Sequence, residues 1–170
     1  MKSIISATLL HRPVAFFAGA VVALTALDAA FAPAIAQTKQ PIVAAKMQEL
    51  QQSDQRWIQI DLSKQRLVAW EGGKPVYAVV VSTGKRSTPT RTGTFAIKSK
   101  HRSARMRGAD YDVPNVPYTM YYHGGYAIHG AYWHRRFGTP VSHGCINVAV
   151  NHSKWLFNWA AVGTPVVVHK

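Results

Sequence analysis

From Trp57 onward the chain reads as short alternations of apolar and polar residues. Ile58, Ile60 and Leu62 are separated by Gln59 and Asp61, the two-residue period of a half-buried strand. Residues 67–70 make a second short strand. Glu71-Gly72-Gly73-Lys74 follows and predicts a tight turn, because paired glycines reach positive φ at little cost. Residues 76–81 are almost wholly apolar and rich in valine, the pattern of a central strand. Residues 93–98, 118–122, 126–129 and 166–168 read as further strands, with Gly124-Gly125 as a turn. So many short strands at close spacing predict a mostly β fold, a two-sheet sandwich or a barrel. One short C-terminal helix is predicted, capped by Asn151 or Ser153. Trp155, Leu156 and Trp159 form its apolar face, and Gly163 stands as its stop.

The start of the chain has a different texture. Residues 14–27 are uncharged and mostly apolar, and Ala34-Ile35-Ala36 offers small residues before Gln37. This predicts a secretory signal peptide over residues 1–36. A membrane-spanning helix needs about 20 apolar residues, so an uncleaved anchor is the weaker alternative. Residues 37–55 are polar and contain Pro41. They read as a linker or a loosely docked short helix, with Val43, Met47 and Leu50 on one face. Cleavage would leave 134 residues, enough for one core, with residues 56–170 as the main domain. The expected product is periplasmic or wall-associated, without stable membrane insertion.

Charge narrows the partners. Without residues 1–36, 18 Lys and Arg stand against 6 Asp and Glu, a net +12. Such a field attracts polyanions. An exported protein rarely meets nucleic acid, so an acidic wall polymer or anionic membrane surface fits better. A solvated basic surface with no specific partner is the plain alternative. Residues 99–117 hold Lys100, Arg102, Arg105 and Arg107, then Asp110, Asp112, Pro114 and Pro117. They read as a long irregular segment, a mobile lid or binding loop over an acidic substrate, or else an ordinary surface loop.

Cys145 is the chain's single cysteine. In an oxidising compartment cysteines usually pair, so this one needs another explanation. It sits in Ser142-His143-Gly144-Cys145-Ile146-Asn147, and His129 lies upstream in Ile128-His129-Gly130. A free thiol has a pKa of about 8.5, and an adjacent imidazole can take its proton. A loop containing Gly138 and Pro140 is long enough to fold back and bring the two together. Gly144 removes a side chain beside the thiol, letting the N–H groups of Gly144 and Cys145 face a developing oxyanion. That set suits acyl transfer through a thioester. A small buried hydrophobe is the alternative for a lone cysteine. A zinc site drawing on His123, His129, His134, His143 and Cys145 is another, but it lacks the usual ligand spacing.

These residues resemble the signature of the L,D-transpeptidase catalytic domain, the YkuD family. The resemblance runs from about Trp57 to His169. It takes in Ser82-Thr83-Gly84-Lys85, the block from Thr88 to Phe95, and Gly163-Thr164-Pro165-Val166. Many members carry Arg where this chain has Asn147. The resemblance implies a sandwich with a cleft, Cys145 as nucleophile, His129 as base and the Gly130 carbonyl as the group that orients it. No Asp or Glu follows Asp112 in the chain, so a triad carboxylate is not at hand in sequence. His143 is expected to tune the thiolate or to brace the loop, and Ser142 to brace the turn. Ser142, Asn147, Tyr121, Trp133, Arg102, Arg105 and Arg107 are the expected substrate-binding set. The implied reaction joins a peptidoglycan stem tetrapeptide, cut at its diaminopimelate–D-alanine bond, to an amine. The acceptor would be another stem peptide, giving a 3→3 cross-link, or a wall-anchored protein. No metal or cofactor is implied, and carbapenems are the expected inhibitors. Two rivals are a hydrolase on the same scaffold and a non-catalytic wall-binding module.

Overall fold

The computed structural model describes residues 34–170. The first sheet begins as a meander. β1 (Arg56–Asp61) pairs antiparallel with β2 (Arg66–Glu71), and β2 turns through Gly72-Gly73 into β3 (Lys74–Val80). Gly72 has a φ of +56°, which a glycine adopts freely. β4 (Gly93–Ala96) and β9 (Pro165–His169) complete the sheet in the order β3-β2-β1-β9-β4, with β9 parallel to β1. The second sheet has the order β5-β6-β7-β8: β5 (Ser99–Arg107), β6 (Asp112–His123), β7 (Tyr126–Gly130) and β8 (Ile146–Val148). β7 and β8 are parallel.

One apolar core joins the two sheets. Ile58, Ile60 and Leu67 come from the first sheet, and Met120, Ile128 and Ile146 from the second; all are fully buried. The expected two-sheet sandwich is the architecture found. Helix α2 (Val150–Trp159) buries Leu156 against that core. Its N-cap is Ala149, with no side-chain cap bond. Neither Asn151 nor Ser153 caps it; the Ser153 hydroxyl donates to the Val150 carbonyl within the first turn. The helix ends before Ala160, and Gly163 shapes the next turn instead, its N–H donating to Ile97 O.

Helix α1 spans Ala34–Gln51, and most of the expected signal segment lies outside the described residues. Of the two readings of residues 37–55, α1 is the helix, and it buries Val43 and Leu50 against Trp57 and Val167, with Met47 packed beside them. Each such side chain contributes about 1.5–3 kcal/mol on burial. β1 is therefore covered on both faces: Ile58 and Ile60 point to the sandwich core, and Trp57 lies under α1, stacked on Trp70 with ring centres 5.3 Å apart. β3 is an edge strand, not a central one. Along it Val79 is buried in the sandwich core, Tyr77 stacks on Trp155 of α2 at 4.0 Å, and Val80 is exposed.

Residues 99–117 are not irregular. They form β5 and the first half of β6, an antiparallel ribbon with a register shift near Arg105. Among the described residues no helix is long and apolar enough to cross a membrane.

Candidate active site

β7 ends with His129 and Gly130, and β8 begins immediately after Cys145. The parallel pairing sets His129 opposite Asn147 and Ile128 opposite Ile146. The loop of residues 131–145 thus leaves one strand and returns beside it, which brings Cys145 back to His129. Both line a cavity of about 390 Å³, together with Met106, Tyr111, Trp133 and His134.

His129 is buried, and its Nδ1 lies 3.1 Å from the Gly130 carbonyl oxygen. A carbonyl accepts only, so Nδ1 carries the proton and Nε2 is the free base. Burial pulls this imidazole down to about 4, against the Gly130 carbonyl, which favours the charged form; the nearby His134 adds to the lowering. Burial also pushes the Cys145 thiol up, partly offset by the Ala127 N–H that points at the sulfur. Both effects disfavour a thiolate–imidazolium pair at rest.

The nucleophile loop is held from two sides. The Ser142 hydroxyl donates to Cys145 O at 2.6 Å and accepts from Gly144 N–H at 3.0 Å. That spends the Gly144 N–H, which sequence reasoning had set aside for an oxyanion. Thr83 O accepts the N–H groups of Val141 and Ser142, and the backbone of Ser82 pairs with Asn147. Gly144 has a φ of +113°, and a Cβ there would sit 2.5 Å from the Tyr126 ring. Gly144→Ala is accordingly expected to cost about 1–3 kcal/mol of stability and to slow acyl transfer about tenfold or more. Thermal melts and single-turnover rates measure the two; a wild-type melt and rate would show that the loop tolerates a side chain there.

The sequence model of the YkuD family, the L,D-transpeptidase catalytic domain, matches residues 55–168. The chain belongs to that family. L,D-transpeptidase 2 of Mycobacterium tuberculosis is 31% identical over 108 residues, covering 56% of this chain and 26% of the relative. L,D-transpeptidase 1 of the same species is also 31% identical over 108 residues, covering 56% of this chain and 43% of the relative. The matched part is thus less than half of either curated relative. The solved catalytic domain of the Enterococcus faecium L,D-transpeptidase superposes with a TM-score of 0.63 at 31% identity, over 69% of this chain and 98% of that one. An L,D-transpeptidase solved in complex with imipenem gives a TM-score of 0.64 at 27% identity, over 69% of this chain and 60% of that one.

Within this L,D-transpeptidase domain the expected substrate set is scattered. Trp133 lines the cavity, its ring 5.8 Å from that of His129. Ser142 and Asn147 also line it, but both are buried and hydrogen-bonded within the protein. Tyr121 packs in a small cluster with Met106 and Cys145, outside the cavity lining. Arg105 and Arg107 pair with Asp112 on the ribbon, and Lys100 donates to the carbonyls of Phe157 and Ala160. Arg102 is exposed on β5. None of these four basic residues lines the cavity.

Other contacts at the site were not disclosed by the sequence. The turn of the ribbon leans on the nucleophile loop: Asp110 Oδ2 lies 2.9 Å from His143 Nε2, and the Tyr111 ring stands 4.7 Å from that of His143. His143 thus engages a carboxylate after all, and it braces the ribbon rather than the base. The hydrogen bond from His143 holds the Asp110 carboxyl below the usual range. His134 Nδ1 accepts from Arg136 N–H, and its Nε2 lies 2.9 Å from the Asn147 side-chain nitrogen Nδ2. Of the histidines considered for zinc, His129, His134 and His143 hold hydrogen-bond partners within the protein, and His123 packs against Phe95 and Tyr126. Ser82 and Thr83, which brace the nucleophile loop, fall in the resemblance block at residues 82–85, to which no chemistry was assigned.

Proposed function

We propose that this chain is an exported peptidoglycan L,D-transpeptidase. The observation that carries the reading is a lone cysteine and a histidine on one cavity, the histidine oriented by a carbonyl so that its Nε2 is free to act as base. Cys145 Sγ attacks the carbonyl of a diaminopimelate–D-alanine bond in a stem tetrapeptide. The S–C bond forms as the thiol proton passes to His129. The C–N bond then breaks, His129 returns the proton to the leaving amine, and D-alanine departs. An amine acceptor attacks the thioester, the C–S bond breaks, and the thiol is restored. The acceptor is a neighbouring stem peptide, giving a 3→3 cross-link, or a wall-anchored protein. The ribbon turn at Asp110 and Tyr111 borders the donor channel as a lid, and the net basic surface favours an acidic wall polymer. Residues 1–36 carry the export signal, and the mature enzyme works in the periplasm or at the wall. A relative solved with imipenem supports carbapenem acylation of Cys145.

Incubation with a purified tetrapeptide muropeptide, followed by intact-protein mass spectrometry, tests the reaction. The expected mass gain is the donor minus D-alanine, lost again on addition of an amine with formation of the cross-linked product. Cleaved wall links without new ones would assign a hydrolase. A protein that never gains mass would be left as a binding module.

A further inference from the structure

We propose that Thr90 is a positioning residue that aims the Cys145 backbone N–H at the developing oxyanion; the inference rests on the acyl-transfer reading above. Thr90 is buried in the loop between β3 and β4, behind the nucleophile. Its hydroxyl accepts the Gly84 N–H at 2.8 Å and lies 2.9 Å from the Gly144 carbonyl oxygen. With a lone pair taken by Gly84, the hydroxyl proton goes to Gly144 O. Gly84 makes this close approach possible, since a Cβ on it would sit 2.6 Å from Thr90 N.

The Gly144 carbonyl and the Cys145 N–H belong to one peptide unit. In a planar trans peptide they point in opposite directions. Anchoring the oxygen on buried Thr90 therefore turns the Cys145 N–H away from that loop, to the cavity side. The restraint matters because Gly144 is a glycine at positive φ, with few steric barriers to a flipped peptide. A flip would present a carbonyl dipole to the oxyanion in place of a donor. The Gly144 N–H is already spent on Ser142. Among the described residues, nothing accepts from the Cys145 N–H. When Sγ bonds to the substrate carbonyl, the π electrons move onto oxygen, and this N–H is the donor the loop has kept for it. Collapse of the oxyanion then expels the amine, which takes its proton from His129.

The test separates oxyanion chemistry from thiol reactivity. Acylation by imipenem passes through an oxyanion. Alkylation by iodoacetamide forms S–C and expels iodide at a saturated carbon, with no oxyanion. Thr90→Val is expected to slow acylation about 10–100-fold and to leave alkylation within about twofold of the wild type. Thr90→Ser keeps the hydroxyl and should stay near wild type in both. A Thr90→Val enzyme that acylates at the wild-type rate overturns the proposal, and so does one whose alkylation falls as far as its acylation. Should Thr90→Val not fold, Thr90→Ser still decides: normal alkylation with lost acylation overturns the assignment. A wild-type protein that alkylates but is acylated by neither imipenem nor muropeptide removes the acyl-transfer reading itself, whatever Thr90 does.

Discussion

Cys145→Ala is expected to abolish acyl transfer while the protein remains folded. The thiol is the sole sulfur nucleophile in the chain, and no other side chain in the cavity can form a thioester. Loss of a nucleophile typically lowers turnover by about 10⁴-fold or more. The fold should survive because the sulfur carries little of the packing. It is half-buried at the edge of a small cluster and makes only weak contacts, the clearest with the Gly125 carbonyl at 3.7 Å. The loop is held by Ser142, Thr83 and Thr90, none of which bonds to the sulfur. The stability change should be about 1 kcal/mol or less. Intact-protein mass after exposure to donor, read beside a thermal melt, gives both quantities. Ordinary turnover by a folded Cys145→Ala protein would end the proposed mechanism.

The second large effect belongs to His129. Replacing it with alanine should slow acylation about 10²–10⁴-fold, and His143→Ala should do far less, since His143 bonds to Asp110 on the ribbon. The pH profile should carry the mark of burial. With the imidazole held down to about 4, wild-type acylation should keep its rate through pH 5–6, where an ordinary histidine is already charged and useless as a base. Its acid limb should lie near 4. Stability follows the same group. Between about 4 and the ordinary histidine value near 6.5 the unfolded chain binds a proton that the folded chain refuses. Stability is then full above about 6.5 and falls as the pH drops toward 4, by roughly 3 kcal/mol in all. His129→Ala should flatten that slope. Denaturant melts at pH 4.5 and 7.5 measure it, and acylation that declines with a midpoint at 6.5 would mean that the base is solvated or is another residue.

Why some of this was legible in the sequence and some was not has physical reasons. β1, β2, β7 and β9 were readable because each carries enough apolar positions to fill a sheet face. β3 was readable as a strand but not as an edge strand. An apolar run does not tell an edge strand from a central one: Val79 faces the sandwich core, while Val80 on the same strand is exposed. β5 and the start of β6 lie exposed along much of their length. They lack alternation, and charged residues and prolines stand where a core strand would have valine. The docking of α1 was not legible because part of its cover, Val167, lies far along the chain. In the site, Cys145 and His129 stood out by residue type and spacing. Thr90, Asp110 and His134 did not, because a threonine hydroxyl or a carboxylate gains its role only from what the fold sets against it. The Gly144 N–H was misassigned for the same reason: its partner, a hydroxyl two residues away, depends on a loop conformation that spacing does not disclose.

The position of β9 has a bearing on how the molecule assembles. In the first sheet β9 lies between β1 and β4, and it pairs Ile58 with Val166 and Ile60 with Val168. Contacts so distant along the chain close slowly, since the entropy of a very long loop is lost before they form. The β1–β3 meander is local and can form early, but it then waits with one side of β1 unpaired. During that interval β1 presents bare N–H and C=O groups flanked by Trp57, Ile58 and Ile60, a template for any other extended chain. The middle of the sheet is thus the last seam to be sewn, and crowding of unfinished molecules is what threatens it.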